Sequence, residues 1–203
     1  MPRPCIALVT VGTTQFDSLI QGVYSEEIAG QLQRLEISHV ILQVGQGSLP
    51  FGSIPPDAFW EAPLGDALPP DADTAWHVPA SASGTGVAWS HWGIHWLAVR
   101  FSPDLPGWLS SMHAVICHAG AGSSFGAARA CSRVLLVPNP ALQGNHQAEL
   151  ASAFAEAGWA YTCTTAALAH GVTQLAEPCS GEVPPSRADE YAQWIQRALD
   201  GAS

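Results

Sequence analysis

The sequence predicts an α/β fold with a single Rossmann-like, doubly wound parallel sheet. Short apolar runs with the length of buried strands alternate along the chain with segments whose apolar residues recur at helical spacing. Several of these runs end in glycine-rich turns, as expected where a strand leads into a helix. With 203 residues, of which 47% are apolar and 12% charged, the chain has the composition of one globular domain with a sizeable core.

The first half of the chain contains two strand–helix units and then an irregular segment. Residues 5–11 are predicted to form a buried strand that ends at the turn Gly12-Thr13-Thr14, and helical spacing begins at Phe16. A second amphipathic pattern precedes a strand at residues 39–44. Residues 48–93 are rich in Pro, Gly, Ala, Ser and Asp and show no sustained period, so we interpret them as a long insertion or loop.

The second half resumes the alternation and ends in an amphipathic helix. Strands are predicted at residues 94–101, 114–117, 134–137 and 159–162, and helices at residues 102–112, 125–131, 149–154, 165–176 and 186–199. The last helix carries an apolar stripe formed by Tyr191, Trp194, Ile195 and Leu199. That stripe either docks a partner or packs on its own domain.

Charge and cysteine content exclude several classes of function. The formal net charge is −10, lysine is absent and the arginines are scattered, which argues against nucleic acid or an anionic membrane as a partner. The five cysteines show no CxxC spacing, so neither a disulfide framework nor a zinc site is indicated, and a reducing compartment fits. The first apolar stretch is too short for a signal peptide or a membrane span, which predicts a cytosolic location.

A metal site is not expected, and neither is a cofactor. His91 and His95 are four residues apart and would share one face of a helix. No third ligand accompanies them at a recognisable spacing.

The glycine-rich segment after the strand at 114–117 is a candidate anion site. It reads His118-Ala119-Gly120-Ala121-Gly122-Ser123-Ser124 and leads into a helical pattern. The N-terminus of a helix presents unpaired N–H groups and a positive dipole end to an anion. Gly120 and Gly122 would let the backbone approach a phosphate where a Cβ atom would block it. Alone, the same segment is more typical of a tight turn than of a phosphate site.

A second donor cluster follows the next strand and favours the ligand-binding interpretation. Asn145, His146 and Gln147 lie between that strand and a helix, so they are predicted at the same sheet edge as the glycine-rich turn. The turn at Gly12 could also touch phosphate or sugar, although a simple helix start explains it as well. His118 could serve the reaction or only close the junction between strand and turn.

Three motifs in this order resemble a known family. VTVGTTQFDSLI, HAGAGSS and GNHQAELA are similar to segments of the cytosolic catalytic subunit of the UDP-N-acetylglucosamine transferase of N-glycan assembly. That subunit adds the second GlcNAc to dolichyl-diphosphate-GlcNAc and belongs with the C-terminal domains of glycosyltransferase family 28. The resemblance implies the donor-binding half of a GT-B glycosyltransferase that uses UDP-GlcNAc. It also implies a membrane-anchored partner subunit that binds the lipid-linked acceptor at the cytosolic face of the endoplasmic reticulum.

The resemblance also implies roles for individual residues. Gly12, Thr13 and Thr14 would face the diphosphate, and Phe101 and Ser102 would lie beside the uracil. Gly120, Ala121, Gly122 and Ser123 would hold the phosphates, and Asn145, His146 and Gln147 would meet the GlcNAc hydroxyls. Three residues after Ser123 the family usually has a Glu that binds the ribose in two-domain relatives, whereas this chain has Gly126.

The implied reaction is glycosyl transfer with inversion, and the sequence leaves its general base unidentified. Asp17 and His118 are weak candidates, and a carboxylate in the first turn of a helix is common without catalysis. The alternative is a nucleotide-sugar-binding or regulatory subunit without activity, which Gly126 mildly supports. A Rossmann-type oxidoreductase is disfavoured because the turn after the first strand lacks GxGxxG.

Overall fold

The computed structural model of the chain describes residues 5–50, 86–102, 104–142 and 146–185. Within these ranges, strands form one sheet in the order β3-β4-β2-β1-β5-β6-β7. The strands are β1 (Cys5–Thr10), β2 (Ile37–Gln43), β3 (Gly86–His91), β4 (Ile94–Val99), β5 (Ala114–His118), β6 (Val134–Val137) and β7 (Tyr161–Thr162). The helices are α1 (Asp17–Val23), α2 (Glu26–Arg34), α3 (Leu105–Leu109), α4 (Ala121–Ala130), α5 (His146–Glu156) and α6 (Leu168–Gln174), with a short 3-10 helix at Thr165–Ala167 before α6.

Helices cover both faces of the sheet, as the sequence predicts. One apolar cluster joins α1, α2 and α6 to one face, and a second joins α3, α4 and α5 to the other. Every residue of β5 and β6 is buried, which explains why these strands are continuous apolar runs in the sequence. The predicted α/β fold with a doubly wound sheet is confirmed.

One edge of the sheet differs from the all-parallel prediction. Strand β3, which lies within the segment interpreted as an insertion or loop, pairs antiparallel with β4. Trp92 and Gly93 connect the two strands and have φ angles of 49° and 71°. Positive φ at both positions of a two-residue turn matches the right-handed twist of a hairpin. Residues 51–85 of the segment lie outside the described residues.

The hairpin also corrects the expectation for His91 and His95. They lie on neighbouring strands of the hairpin and not on one face of a helix. The ring of His91 pairs with the Tyr24 hydroxyl at 2.7 Å, and that of His95 with the Ser90 hydroxyl at 2.8 Å. In the described part of the chain, no three His, Cys, Asp or Glu side chains lie close enough together to bind a metal ion.

Helix α4 begins earlier than its sequence pattern indicates. The apolar spacing predicts a helix from residue 125, whereas α4 starts at Ala121. The glycine-rich segment is therefore the first turn of the helix, where small residues show no period. The helix predicted at 186–199 and Asn145 lie outside the described residues.

The sheet order places two loops at a switch point. Strands β1 and β5 are parallel neighbours, and the chain leaves them towards opposite faces, through α1 and α4 respectively. Such a point opens a crevice at the carboxyl ends of the strands. The turn at Gly12 and the turn at Gly120 both lie at this crevice.

Candidate functional site

The N-terminus of α4 is an uncapped helix end at the switch point. Gly120 is its N-cap residue and supplies no capping side chain, and the first turn contains no acidic residue. The first intrahelical bond runs from the Ser124 N–H to the Gly120 carbonyl at 2.9 Å. The N–H groups of the residues between them have no partner within the helix and remain available to an anion.

His118 connects this helix end to the turn after β1. Its side chain is only 6% exposed. A Cβ atom on Gly12 would lie 2.6 Å from His118 Cε1, and one on Gly120 would overlap His118 Nε2. The imidazole therefore lies between the two turns, and neither glycine has space for a side chain. Gly12 also has a φ of +62°, which favours glycine on its own account.

The imidazole of His118 is held in its neutral form. Burial lowers the pKa of His118 below 6.5, and the nearby Thr10 carbonyl opposes this effect to a smaller extent. No described residue meets His118 Nδ1 with full hydrogen-bond geometry. The uncapped helix end beside this ring favours an anionic ligand at the crevice.

The rest of the Gly12 turn is fixed by local hydrogen bonds. The Thr14 hydroxyl donates to the Val11 carbonyl at 2.8 Å, and Thr13 is exposed. The amide of Gln43 donates to the Gly12 carbonyl at 2.7 Å. The structure thus brings Gly12, Thr13 and Thr14 to the same edge as Gly120 to Ser123.

Asp17 has a positioning role in this arrangement. One carboxylate oxygen accepts from the Ser48 N–H at 2.7 Å, and the other from the Gln15 side chain at 2.7 Å. The side chain thereby closes the loop after β2. Its carboxylate lies so close to Gly47 that a Cβ atom on this glycine would overlap it. Both oxygens are occupied by the protein, so the contacts do not favour Asp17 as a general base.

Phe101 and Ser102 lie at the end of β4, on the same edge of the sheet. Phe101 is 47% exposed, a large value for an aromatic side chain in this chain. The Ser102 hydroxyl accepts from the Asp104 N–H at 3.2 Å, and Asp104 caps α3 through the Gly107 N–H at 3.0 Å. An exposed ring above a capped turn suits the stacking of a flat heterocycle.

Gln147 and Asn139 organise the loop after β6. The Gln147 side-chain oxygen accepts from the Asn139 N–H at 2.8 Å, so part of this amide is already used within the protein. Asn139 is buried and donates from its side chain to the Gln15 carbonyl at 3.0 Å, which links the loop to the turn after β1. His146 is the exposed first residue of α5 and lies 3.7 Å from Glu149. The sequence predicts a sugar contact for His146, and the structure leaves this untested.

A cavity of about 640 Å³ lies beside this loop. It is bounded by the ends of β6 and β7 and by the first turns of α5. The residues that line it include Asn139, Gln147, Ser152, Thr162, Thr164 and Thr165, although more of the lining surface is apolar than polar. Hydroxyl and amide groups of this kind can pair with the hydroxyls of a sugar.

The sequence matches a known family model. The model of the glycosyltransferase family 28 C-terminal domain matches residues 84–196, which is more than half of the 203 residues. The chain belongs to glycosyltransferase family 28. A relative from Cryptococcus neoformans, the UDP-N-acetylglucosamine transferase subunit ALG13, is 30% identical over 78% of this chain and 77% of its own length. A protein of the same name from Eremothecium gossypii is 25% identical over 97% of this chain and 94% of its length.

Solved structures agree with this family 28 assignment at the level of the fold. The NMR solution structure of ALG13 superposes with a TM-score of 0.60 at 19% identity, over 95% of this chain and 94% of that one. The crystal structure of Acinetobacter baumannii MurG gives a TM-score of 0.50 at 21% identity, over 86% of this chain and 41% of MurG. In the described ranges of this family 28 chain, none of the helices is both long and apolar enough to span a bilayer.

Two site residues of this family 28 chain cannot be found from the sequence pattern. Gln43 and Asn139 are buried amides at or just after the ends of apolar strands. The Gln43 amide donates to the Gly12 and Arg100 carbonyls, 31 and 57 residues away. The Asn139 amide donates to the Gln15 carbonyl, 124 residues away, so no local spacing in the sequence predicts these bonds. The sequence contains one weak signal for such residues, namely a polar residue at the point where an apolar run ends.

Proposed function

We propose that this chain is the donor-binding subunit of a two-subunit transferase. It would move N-acetylglucosamine from UDP-GlcNAc to N-acetylglucosaminyl-diphosphodolichol, the second step of lipid-linked oligosaccharide assembly. The observation that carries the proposal is the uncapped N-terminus of α4, joined to the Gly12 turn through buried, neutral His118. The names of its relatives, UDP-N-acetylglucosamine transferase subunit ALG13, supply the donor and the reaction class.

The donor would lie across the edge of the sheet from β4 to β6. The uracil would meet Phe101 and Ser102, and the diphosphate would lie between the Gly12 turn and the first turn of α4. The GlcNAc would reach Gln147 and the cavity beside it. This order follows the positions of the strand ends and needs no metal ion, because the backbone N–H groups carry the positive potential.

In the reaction, a hydroxyl oxygen of the acceptor attacks C1 of GlcNAc and forms the new glycosidic bond, while the hydroxyl proton passes to a general base. The bond from C1 to the β-phosphate oxygen breaks, its electron pair leaves with UDP, and the configuration at C1 inverts. The N–H groups of Ala121 to Ser123 would stabilise the charge that develops on the diphosphate. A neutral imidazole at His118 would add a hydrogen bond there without the cost of a buried cation.

The acceptor and its lipid are assigned to a membrane-anchored partner. The relatives are named as subunits, and this chain covers 41% of MurG, so it corresponds to part of such an enzyme. The pair would work at the cytosolic face of the endoplasmic reticulum. Transfer measured with the purified chain, lipid acceptor and no partner would contradict this part of the proposal.

Donor binding is tested by calorimetry with UDP and UDP-GlcNAc on the purified chain and two variants of Gln147. Gln147→Ala should weaken UDP-GlcNAc about tenfold and UDP less than twofold, since its proposed contact is to the sugar. Gln147→Glu keeps an oxygen for the Asn139 N–H but loses the amide donor, so it should show a similar loss.

The three proteins together separate a sugar contact from a structural role. Equal losses for UDP and UDP-GlcNAc, or a Gln147→Glu variant that binds both ligands like the wild type, would place Gln147 in loop structure alone. A wild-type chain that binds neither ligand would overturn the proposed function.

A further inference from the structure

One buried side chain joins three strand ends at the crevice. Gln43, the last residue of β2, is 3% exposed. Its amide nitrogen donates to the Gly12 carbonyl after β1 at 2.7 Å and to the Arg100 carbonyl after β4 at 2.7 Å. Its amide oxygen accepts from the Thr10 hydroxyl.

Thr10 completes the network. Its hydroxyl accepts from the Gly12 N–H at 3.1 Å, so Gly12 is held through both its N–H and its carbonyl. The Arg100 carbonyl also accepts from the Gly45 N–H at 3.0 Å. All polar atoms of the Gln43 amide are therefore used. Its nitrogen bonds to carbonyls just after β1 and β4, and its oxygen bonds to Thr10, the last residue of β1.

We infer that Gln43 is a positioning residue that sets the separation between the Gly12 turn and the loop beginning at Arg100. This rests on the proposed function, which assigns the first turn to the diphosphate and the loop to the uracil. A nucleotide that reaches both segments gains affinity from both only if their spacing is already correct. The amide suits this role because it offers two donors on one atom, directed at two carbonyls.

Four substitutions separate this role from others. Gln43→Leu removes all the links, and Gln43→Glu keeps the shape but places an oxygen against two carbonyl oxygens. Thr10→Val preserves buried volume but removes the bonds of the hydroxyl to Gln43 and to the Gly12 N–H, whereas Thr10→Ser retains the hydroxyl and should behave like the wild type. Gln21→Leu, an exposed glutamine on α1, is the matched control.

The ligand test compares a whole nucleotide with its two halves. Amide NMR titrations measure the affinities for UDP, uridine and inorganic pyrophosphate. In Gln43→Leu and Gln43→Glu, UDP affinity should fall about tenfold or more, while uridine and pyrophosphate change less than twofold. Unchanged UDP affinity would overturn the inference, and so would fragment losses as large as that for UDP.

A test without ligand keeps the inference independent of the proposed function. Hydrogen exchange of the free protein should accelerate at least tenfold at the Gly12 and Gly45 N–H groups in Gln43→Leu. Thr10→Val removes the acceptor of the Gly12 N–H, so exchange there should accelerate at least as much, with a smaller effect at Gly45. The Val115 N–H, bonded to the Arg133 carbonyl at 2.9 Å at the opposite edge, is the internal reference for global unfolding. Equal exchange in Gln43→Leu and Gln21→Leu at Gly12 and Gly45 would overturn the inference, even if the wild type bound UDP. Failure of the wild type to bind UDP would instead overturn the proposed function.

Discussion

Gly120 and Gly122 are two residues apart, yet they lack side chains for different physical reasons. A Cβ atom on Gly120 would overlap the His118 ring, so the fold itself requires glycine there. A Cβ atom on Gly122 would meet no described atom within 4 Å, and the position is exposed. Nothing in the described part of the free protein requires glycine at position 122. A ligand that approaches the backbone would explain it.

Substitution of these glycines should therefore separate stability from binding. Gly122→Ala should leave the free energy of unfolding unchanged or raise it by up to about 1 kcal/mol, because alanine favours the helix. It should also lower UDP affinity about tenfold or more, since the methyl group would occupy the space of a phosphate. Gly120→Ala should lower the free energy of unfolding by about 1–3 kcal/mol through overpacking. Urea denaturation and calorimetry measure the two effects, and a Gly122→Ala variant that binds UDP like the wild type would refute the placement of the phosphates.

Some candidate site residues can be predicted from the sequence and others cannot, and the reason is physical. The glycine-rich turn and Gln147 could be predicted because strand ends and helix starts have local signatures. The positioning role inferred for Gln43 could not, because its amide bonds to carbonyl groups that only the folded sheet brings near it. From its position in the chain, Asp17 is a weak candidate for the general base. Only the folded structure shows that its carboxylate oxygens accept hydrogen bonds from Ser48 and Gln15.

At the level of whole elements, the sequence predicts buried strands better than edges and helix starts. Strands β5 and β6 are recognisable because both of their faces are buried. Strand β3 has one buried residue, three partly buried residues and two exposed residues at its end, so its pattern resembles a loop. The first turn of α4 has small residues that give no apolar period, although they form a helix.

Gly126 lies where α4 packs on α3. A Cβ atom there would lie 3.1 Å from Leu109 Cδ1, a tight contact with the flexible end of a side chain. A larger residue is therefore possible if Leu109 moves by a few tenths of an ångström. The family resemblance implies a ribose-binding Glu carboxylate at this position, where this chain has glycine.

Gly126→Glu should restore that carboxylate and tighten UDP binding by about three- to tenfold, worth about 0.7–1.4 kcal/mol. Gly126→Ala is the control. Replacement of glycine by alanine also stabilises the helix, by about 1 kcal/mol, and introduces the same contact with Leu109. Alanine offers no acceptor for the ribose hydroxyls. Calorimetry with UDP distinguishes the two. Equal affinities for the two variants would indicate that another residue holds the ribose or that the pocket has diverged.

Across the whole molecule, two imidazoles are buried in their neutral form at opposite ends of the strands. His39, near the start of β2, has its pKa lowered to about 4, mainly by burial and also by His95, whose ring centroid lies 4.7 Å away. His118, at the end of β5, has its pKa lowered by burial as well. The unfolded chain binds a proton at each histidine near pH 6.5, while the folded protein resists both protons.

Acid should therefore destabilise the folded protein well before most carboxylates titrate. A lowered folded pKa means that the unfolded state gains protons first, so the free energy of unfolding should fall as the pH drops from about 6.5 towards 4. Between pH 6.5 and 5, His39 should account for a loss of about 1–2 kcal/mol, and His118 should add to it in the same direction. His39→Gln should flatten this part of the curve without removing the contribution of His118, whereas His170→Gln, at an exposed position on α6, should leave the slope as in the wild type. Urea denaturation at a series of pH values measures the slopes, and an unchanged slope in His39→Gln would mean that His39 is not the source of the acid sensitivity.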